Sequence, residues 1–328
     1  MMAVFFIGIG LSSVLVSLTS NPVEMAISLT LIGIFAAIYH PVGLAMVVEG
    51  REKTGMPLAI NGVFGNMGVA SAALLTGYLI DTSSWRTAFA LPGIISIILG
   101  LLYLGYLRRQ PLPDRAAVMP GAGKNGVVTS RTMLLRLFAI ILVSTAIGGL
   151  IFQSTTFALP KVFDERLATT APSATLIGWY AFVVFSLAAF AQLVVGYLVD
   201  RYSIRTVFVV VALLQAIFFA LMTQLEGVPA LLIAIAFMLV VFGQIPINDV
   251  LVGRIAKSEW RSRAYSLRYI VTFSVMASAV PFIAWVHAGW GFNTLFAVLS
   301  IAAMLIFTTV LFLPGSTEPL MRSARAAE

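Results

Sequence analysis

Long apolar runs with very few charges constrain this chain more than any other feature. Each run is about the length of the roughly 20 residues that an α-helix needs to cross the hydrocarbon core of a bilayer. Because 60% of the 328 residues are hydrophobic and 10% are charged, the composition excludes a soluble globular fold. Ten runs are present, at 2–19, 25–48, 57–80, 87–107, 134–159, 173–199, 205–225, 229–251, 264–287 and 290–313. They predict an all-α integral membrane protein with ten spans, a group of four followed by a group of six.

The longest polar stretch, 108–133, separates the two groups of spans. It contains Pro, Gly and scattered charges, which is typical of a cytoplasmic linker. Its GAGKNG segment at 121–126 has the form G-x-G-x-x-G. A dinucleotide site also needs the strand and helix of a βαβ unit, which the flanking residues do not predict. We therefore expect an incomplete N-terminal bundle of four spans at 1–107, a six-helix bundle at 134–313 and a cytoplasmic tail at 314–328.

The net charge of +7 is distributed unevenly between the two sides of the predicted membrane. With a cytoplasmic N-terminus, 17 Lys and Arg residues lie on the inner side, and three, Arg86, Lys161 and Arg166, lie on the outer side. Positive residues accumulate on the cytoplasmic side of membrane proteins, and the opposite topology would reverse this bias. The basic residues therefore indicate orientation, with both termini in the cytoplasm. They lend no support to a nucleic-acid partner.

A parallel repeat relates the two halves of the chain at a shift of 205 residues. In each copy a helix that contains proline is followed by a basic inner loop, a second helix, an outer tryptophan and a last helix. This order predicts two related helical bundles. The residues that coincide are Pro41 with Pro246, Ala59 with Ala264, and Trp85 with Trp290.

The segment Gly196–Arg205, which reads GYLVDRYSIR, joins two of the predicted spans. Charged residues between apolar runs indicate a tight turn at the membrane–water boundary. Gly196 would let two helices approach closely. Asp200 would lie at the start of the following helix, where its charge suits the helix dipole. Arg201 and Arg205 would hold the turn on the cytoplasmic side.

This segment resembles the Gly-x-Leu-x-Asp-Arg-x-Gly-Arg-Arg loop of the major facilitator superfamily, which joins the second and third helices of each six-helix half. Ser203 stands where the family usually has Gly, and Ile204 stands where it often has a basic residue. The segments GIFAAIYHPVG (33–43) and NGVFGNMG (61–68) look like the fosmidomycin-resistance-like branch. The resemblance implies secondary active transport of a small-molecule substrate by rocking of two bundles about a midplane cavity, coupled to an ion or proton gradient. It also implies a monomer in the plasma membrane, which in a bacterium is the inner membrane.

The shift of 205 residues would place the partner of Gly196–Arg205 just before Met1. We therefore expect that the chain lacks the first two helices of a twelve-helix fold. An alternative function follows from this, namely a truncated, transport-incompetent fragment that serves as a scaffold or partner for another membrane protein. In either case the three charged residues of the loop should find their partner in the helix that begins near Pro57.

His40 and Pro41 form the first candidate site within a span. Proline lacks an N–H group, so Pro41 frees a carbonyl one turn back and bends the helix, as at the binding sites of transporters. A histidine titrates near neutral pH, so His40 could carry a coupling proton or form a hydrogen bond with substrate. The alternative is a hydrogen bond to the kinked backbone without a role in transport. Pro246 is expected to break the equivalent helix of the second half.

Three polar residues on the helix of Pro246 form the second candidate site. Asp249 is either a proton site, a counter-charge for a cationic substrate, or an interfacial carboxylate paired with Arg254, and we favour the last. Gln244 and Asn248 are four residues apart and share one face of the helix. That face lines the central cavity, or its amides form hydrogen bonds between helices, each worth roughly 1 kcal/mol.

Gln153 is the further cavity candidate, because neighbouring Ser and Thr residues can bond their own backbone. Trp179 and Tyr180 could stack on a ligand. An enzyme is not predicted, since the two histidines, His40 and His287, lie on different spans and no catalytic motif is present. The sequence calls for no cofactor and no metal, and it contains no cysteine.

Overall fold

A computed structural model describes residues 1–51, 53–109, 131–167, 174–255 and 258–314, and within these ranges the backbone is helical almost throughout. Ten helical segments overlie the ten predicted apolar runs, which confirms the all-α prediction. A last, continuous segment, Ser258–Leu311, divides at Gly291, whose φ of 76° is not helical. The helices are α1 Met2–Leu18, α2 Pro22–Val48, α3 Gly55–Thr82, α4 Trp85–Arg109, α5 Arg131–Arg166, α6 Ala174–Arg201, α7 Ile204–Met222, α8 Gly227–Ile255, α9 258–290 and α10 292–311.

Seven helical stretches among the described residues are long and apolar enough to cross a membrane. One of them, Trp260–Leu311, has 52 residues and spans α9 and α10. At about 1.5 Å per residue it is more than twice the roughly 30 Å of a hydrocarbon core, so it is long enough for two passes, one on each side of Gly291. Apolar side chains such as Leu102 and Phe312 are largely exposed, as lipid-facing residues are. The chain is an integral membrane protein.

Local sequence signals set the helix ends. Asn21 precedes α2 and its side chain accepts a hydrogen bond of 2.9 Å from the N–H of Glu24. Glu24 in turn accepts one of 2.8 Å from the N–H of Ser20, and Pro22 occupies the first turn, where its missing N–H costs nothing. Gly227, with a φ of 59°, begins α8 after the turn that follows α7.

The described residues cluster into two compact units. Unit 1 comprises the described residues within Met1–Met46 and Ala72–Val128, and unit 2 comprises those within Val47–Ser71 and Thr129–Glu328. The domain boundary predicted from the sequence, at the 108–133 linker, would place residues 47–71 in the first bundle. The structure instead groups them with unit 2. These residues cluster with unit 2 because the start of α3 contacts the end of α6, as described below.

The same helix pairs pack in both copies of the repeat. In unit 1, α1 packs on α2 and α4, and Ser13 donates a 2.7 Å hydrogen bond to the carbonyl of Phe89. In unit 2, α7 packs on α8 and α10, and Ser300 donates a 2.8 Å bond to the carbonyl of Ala216. A shift of 205 residues carries α1, α2 and α4 onto α7, α8 and α10. The predicted parallel repeat is therefore confirmed.

Candidate functional site

The carboxylate of Asp200 caps the start of α3. Its Oδ1 accepts a hydrogen bond of 2.9 Å from the N–H of Gly55, and its Oδ2 accepts one of 2.9 Å from the N–H of Met56. The first N–H groups of a helix have no partner within the helix, and a negative charge is favourable there. The sequence placed Asp200 at the start of α7, which was wrong, since it lies in the last turn of α6. A carboxylate is unfavourable for the dipole of α6, and the capped end of α3 offsets this cost.

Glycines allow the two helix ends to approach this closely. A Cβ atom on Gly55 would lie 2.4 Å from the carbonyl oxygen of Gly196, and one on Gly196 would lie 2.4 Å from the Cβ of Ala59. The close approach predicted at Gly196 is thus present. Thr54, the residue before α3, is buried, and its hydroxyl has no hydrogen-bond partner among the described residues. Asp200 provides the capping bonds that a threonine in this position usually makes.

Arg254 completes this cluster from the end of α8. Its Nη2 lies 3.3 Å from Oδ1 of Asp200 and donates a 3.0 Å bond to the carbonyl of Val199. Arg201 is exposed and stacks on the ring of Tyr197, with 4.5 Å between the guanidinium carbon and the ring centre. Arg205 is half-buried, and neither it nor Arg201 bonds to α3 in the described part of the chain. The predicted partnership with this helix is therefore made by Asp200 alone.

Asp249 forms a buried ion pair with Arg268 of α9. Their side chains are each 6% exposed, and Nη1 of Arg268 bonds to Oδ1 of Asp249. The favoured pairing of Asp249 with Arg254 was wrong, because Arg254 pairs with Asp200. Arg268 is one of the 17 basic residues predicted to lie on the inner side, in the loops or at the ends of spans, and it lies ten residues inside α9. Its position within the apolar run 264–287 was the signal that could have identified it.

Two tyrosines of α9 surround this ion pair. The hydroxyl of Tyr265, which is fully buried, donates a 2.8 Å bond to the backbone carbonyl of Asp249. The hydroxyl of Tyr269 lies 3.3 Å from Oδ1 of Asp249, and its ring centre lies 4.7 Å from the guanidinium carbon of Arg268. The cluster therefore combines a carboxylate, a guanidinium and two phenols within the helix pair α8 and α9.

Gln244 and Asn248 are buried between helices. The side-chain nitrogen of Gln215 on α7 donates a 2.7 Å bond to Gln244, and Ser144 on α5 donates a 3.3 Å bond to Asn248. Gln244 also lies against Gly148 of α5, where a Cβ atom would come within 2.8 Å of its side-chain nitrogen. In this structure both amides form hydrogen bonds between helices. The sequence reading missed Gln215, whose place in the middle of an apolar run was the available signal.

His40 and Pro41 lie in a π-helical turn, Tyr39–Gly43, that interrupts α2. His40 is half-buried, and its ring meets that of Tyr39 edge-on at 5.4 Å. The helix break predicted at Pro41 is thus present. The break predicted at Pro246 is absent, since α8 continues through this buried residue. Neighbouring helices can satisfy the backbone group that a proline frees within a membrane helix.

The remaining candidates do not converge on one point. Gln153 on α5 is half-buried, Trp179 on α6 is 50% exposed, and Tyr180 is half-buried. Trp179 makes an edge contact of 5.8 Å with Phe182. Within the described ranges, no hydrogen bond or ring contact joins Gln153 to either aromatic residue, and no group of His, Asp and Glu could hold a metal ion.

Comparisons with known proteins give both sequence and structural relatives. A 112-residue stretch is 30% identical to a protein of Chlamydia pneumoniae named "Probable hexose phosphate transport protein", and it covers 34% of this chain and 25% of that protein. The chain thus matches about a quarter of the length of this curated relative.

Solved structures share the fold over nearly the whole chain. The Escherichia coli fucose:proton symporter FucP is 13% identical, with a TM-score of 0.73 over 96% of this chain and 82% of that chain. The human organic anion transporter MFSD10 is 15% identical, with a TM-score of 0.73 over 94% and 76%. The proton:xylose symporter XylE is 16% identical, with a TM-score of 0.69 over 95% and 78%.

A family model described as Major Facilitator Superfamily matches residues 1–171 and 167–328. This match includes both copies of the internal repeat and the loop with Asp200. The predicted family is confirmed, and the narrower fosmidomycin-resistance-like branch stays a prediction. Since the family model covers the whole chain and the helices have the fold of its solved members, the chain belongs to the Major Facilitator Superfamily, a family of membrane transporters rather than of enzymes.

Proposed function

We propose that this chain is a secondary active transporter of a small polar organic solute that works by alternating access and uses a proton gradient. Family membership supports transport, and two structural relatives are named as proton symporters, one for fucose and one for xylose. The scaffold alternative has no observation in its favour among the described residues.

The cap of α3 by Asp200 is the observation that carries the mechanism. In alternating access, a contact closes one side of the membrane. This contact must be stable in the closed state and must break as a whole when that side opens. Two charge-assisted hydrogen bonds and a glycine-to-glycine approach satisfy this requirement. They hold the ends of α3 and α6 together on the side that the charge distribution predicts to be cytoplasmic. Release of this cap would open the cytoplasmic side during the cycle.

The names of the relatives support the proposed solute class. Their names specify sugars, a hexose phosphate and organic anions. Sugars carry several hydroxyl groups, and a hexose phosphate and organic anions carry negative charge. We therefore propose a sugar or a sugar phosphate as the first class to test.

His40 is the proposed proton-coupling residue of the first unit. It is an ionisable side chain in a π-helical turn within a span, and such residues in membrane helices are costly and usually functional. Phe5 and His40 both contact Tyr39, at ring distances of 5.2 and 5.4 Å. Protonation of His40 would thus change the contacts of a turn that already departs from the α-helix.

Transport by reconstituted protein tests this function. Liposomes that contain the purified chain are incubated with labelled L-fucose, D-xylose or glucose 6-phosphate, with and without an imposed pH gradient. We expect accumulation of at least one solute that a protonophore abolishes, and His40→Ala should retain exchange of solute but lose accumulation. Flux equal to that of empty liposomes for all three would contradict the proposed solute class. Full proton-driven flux in His40→Ala would refute the role of His40.

A further inference from the structure

One side of α9 is buried and the opposite side is exposed. On the buried side, Tyr265 and Arg268 bond to Asp249 of α8. Spacings of three or four residues place a second set of side chains in one row on the opposite side. We call this set the exposed row of α9, and it comprises Trp260, Arg263, Leu267 and Ile270. Its three apolar members are between 49% and 64% exposed, so the described residues leave this row open to the membrane.

Trp260 and Arg263 form a cation–π pair at the start of the exposed row. The guanidinium carbon of Arg263 lies 4.5 Å from the ring centre of Trp260. Stacking uses the flat face of the guanidinium and leaves its N–H donors at the edge. Arg263 is exposed, and in the described part of the chain it makes no hydrogen bond and no ion pair. Arg254, Arg261 and Arg268, by contrast, each pair with a carboxylate. The pair therefore holds a positive charge against the indole ring while its donors are unused.

The length of the exposed row matches one leaflet of a bilayer. Ile270 lies ten residues beyond Trp260, which corresponds to about 15 Å along the helix. The hydrocarbon core is roughly 30 Å thick, so the row spans about one half of it. Tryptophan and arginine favour the boundary with the headgroups, whereas aliphatic side chains favour the hydrocarbon. The row thus has the order of a phospholipid, with a charged end followed by an apolar chain.

Charge complementarity selects an anionic lipid for this row. The charge distribution of the chain predicts that α9 begins on the cytoplasmic side, where membranes present anionic lipids. A guanidinium binds two oxygens of one phosphate in parallel. A zwitterionic lipid carries a cation of its own beside its phosphate, whereas an anionic lipid does not. Arg263 therefore compensates more charge when it binds an anionic headgroup.

We propose that the exposed row of α9 binds one anionic phospholipid. Arg263 donates to the phosphate, and the indole N–H of Trp260 donates to another oxygen of the same lipid. One acyl chain lies along Leu267 and Ile270. Because none of these four residues belongs to the candidate sites described above, this inference goes beyond the proposed transport function and does not depend on it.

Native mass spectrometry of the purified full-length chain in mild detergent tests this lipid site. The probes are phosphatidylglycerol and phosphatidylcholine, with inorganic phosphate as a competitor. We expect the first phosphatidylglycerol to bind about tenfold more tightly than the first phosphatidylcholine, since one charge-assisted hydrogen bond corresponds to about that factor. Arg263→Gln should abolish this preference. Excess phosphate should not displace the lipid, because it has no acyl chain to contact Leu267 and Ile270. Displacement by phosphate would identify a site for free anions and overturn the lipid site.

Arg86→Gln in α4 is the matched control. Arg86 stacks on Trp85 at 4.6 Å, but its Nη2 already donates a 3.0 Å bond to the carbonyl of Thr19. The charge distribution also predicts that it lies on the outer side. This variant removes the same charge from the same kind of pair, and it should retain the preference for phosphatidylglycerol. An equal loss of preference in Arg86→Gln and Arg263→Gln would show a general effect of net charge and overturn the site.

Tryptophan fluorescence in nanodiscs tests where the lipid binds. The signal of Trp260 is the difference between the wild type and Trp260→Phe. Phosphatidylglycerol with brominated acyl chains should quench this signal at about one tenth of the lipid fraction that brominated phosphatidylcholine requires. Equal quenching by the two lipids, or equal affinity of Arg263→Gln and the wild type for phosphatidylglycerol, would overturn the site. Neither measurement involves flux, so such a result would leave the transport proposal intact.

Discussion

Removal of the Asp200 carboxylate should open the contact between the ends of α3 and α6. Asp200→Ala removes two hydrogen bonds from backbone N–H groups, each 2.9 Å long, to a side chain that is 8% exposed. A hydrogen bond to a charged group contributes about 1.5 kcal/mol at the lower end of its range, which amounts to about 3 kcal/mol for the two. The partly exposed pair with Arg254 adds little. The closed contact should therefore lose roughly 100-fold in its equilibrium constant.

The absence of cysteine from the chain provides a direct assay. Thr54 is 4% exposed, and its hydroxyl has no hydrogen-bond partner among the described residues, so Thr54→Cys should be tolerated. A water-soluble maleimide will react with Cys at this position only when the contact is open. Labelling that follows the opening equilibrium should be roughly 100-fold faster with Asp200→Ala. Asp200→Asn retains one acceptor oxygen but no charge, so it should give an increase of about tenfold.

A matched control is Asp164→Ala, at an exposed aspartate of α5 that bonds to Lys161. It removes the same charge without contact to α3 and should leave the labelling rate unchanged. Equal rates for Asp200→Ala and the parent Thr54→Cys protein would refute the cap as the element that holds this side closed. A rate for Asp200→Asn equal to that of the parent would refute the contribution of charge.

Two further substitutions follow from close contacts. Gly196→Ala places a Cβ atom 2.4 Å from that of Ala59, so we expect the free energy of unfolding to fall by about 1–3 kcal/mol and labelling at position 54 to become faster. At Gly68 a Cβ atom would have no described neighbour within 4 Å, so Gly68→Ala should cause neither a loss of stability nor faster labelling. Arg166→Gln removes a buried guanidinium that donates to the carbonyl of Met222 at the end of α7, to that of Leu225 in the following turn, and to the side-chain oxygen of Asn293 on α10. This variant should have a free energy of unfolding in detergent that is lower by about 2 kcal/mol or more. Arg136→Gln, at an exposed arginine of α5, is the control. If both variants have the same free energy of unfolding as the wild type, the estimate is contradicted.

The positions of the helices were predictable because one physical requirement dominates in a bilayer. Backbone groups must bond within a segment, and apolar side chains must cover it, so each run of about 20 apolar residues becomes a helix. A break in the helix at Pro41 was predicted from the missing N–H of proline, and the structure has a π-helical turn there. The uninterrupted helix at Pro246 did not, because the packing around that residue decides whether the freed carbonyl bends the chain.

The partners of the charged residues were not predictable in the same way. Asp249 and Arg254 are five residues apart in the chain, and this proximity favoured their pairing. The contact between α8 and α9 instead brings Arg268 to Asp249, and the contact between α6 and α8 brings Arg254 to Asp200. Separation along the chain is therefore a poor guide to ion pairs between helices.

The sequence by itself determined the membrane-spanning class, the helix positions, the internal repeat and the family, because each depends on composition and order along one segment. It also indicated that Gly196 lies where two helices meet. Only the tertiary structure decided that Asp200 caps α3 and that Asp249 and Arg268 neutralise each other. The reason is that burial obliges a charge to find a partner, whereas the packing of helices distant in sequence determines which partner lies within reach.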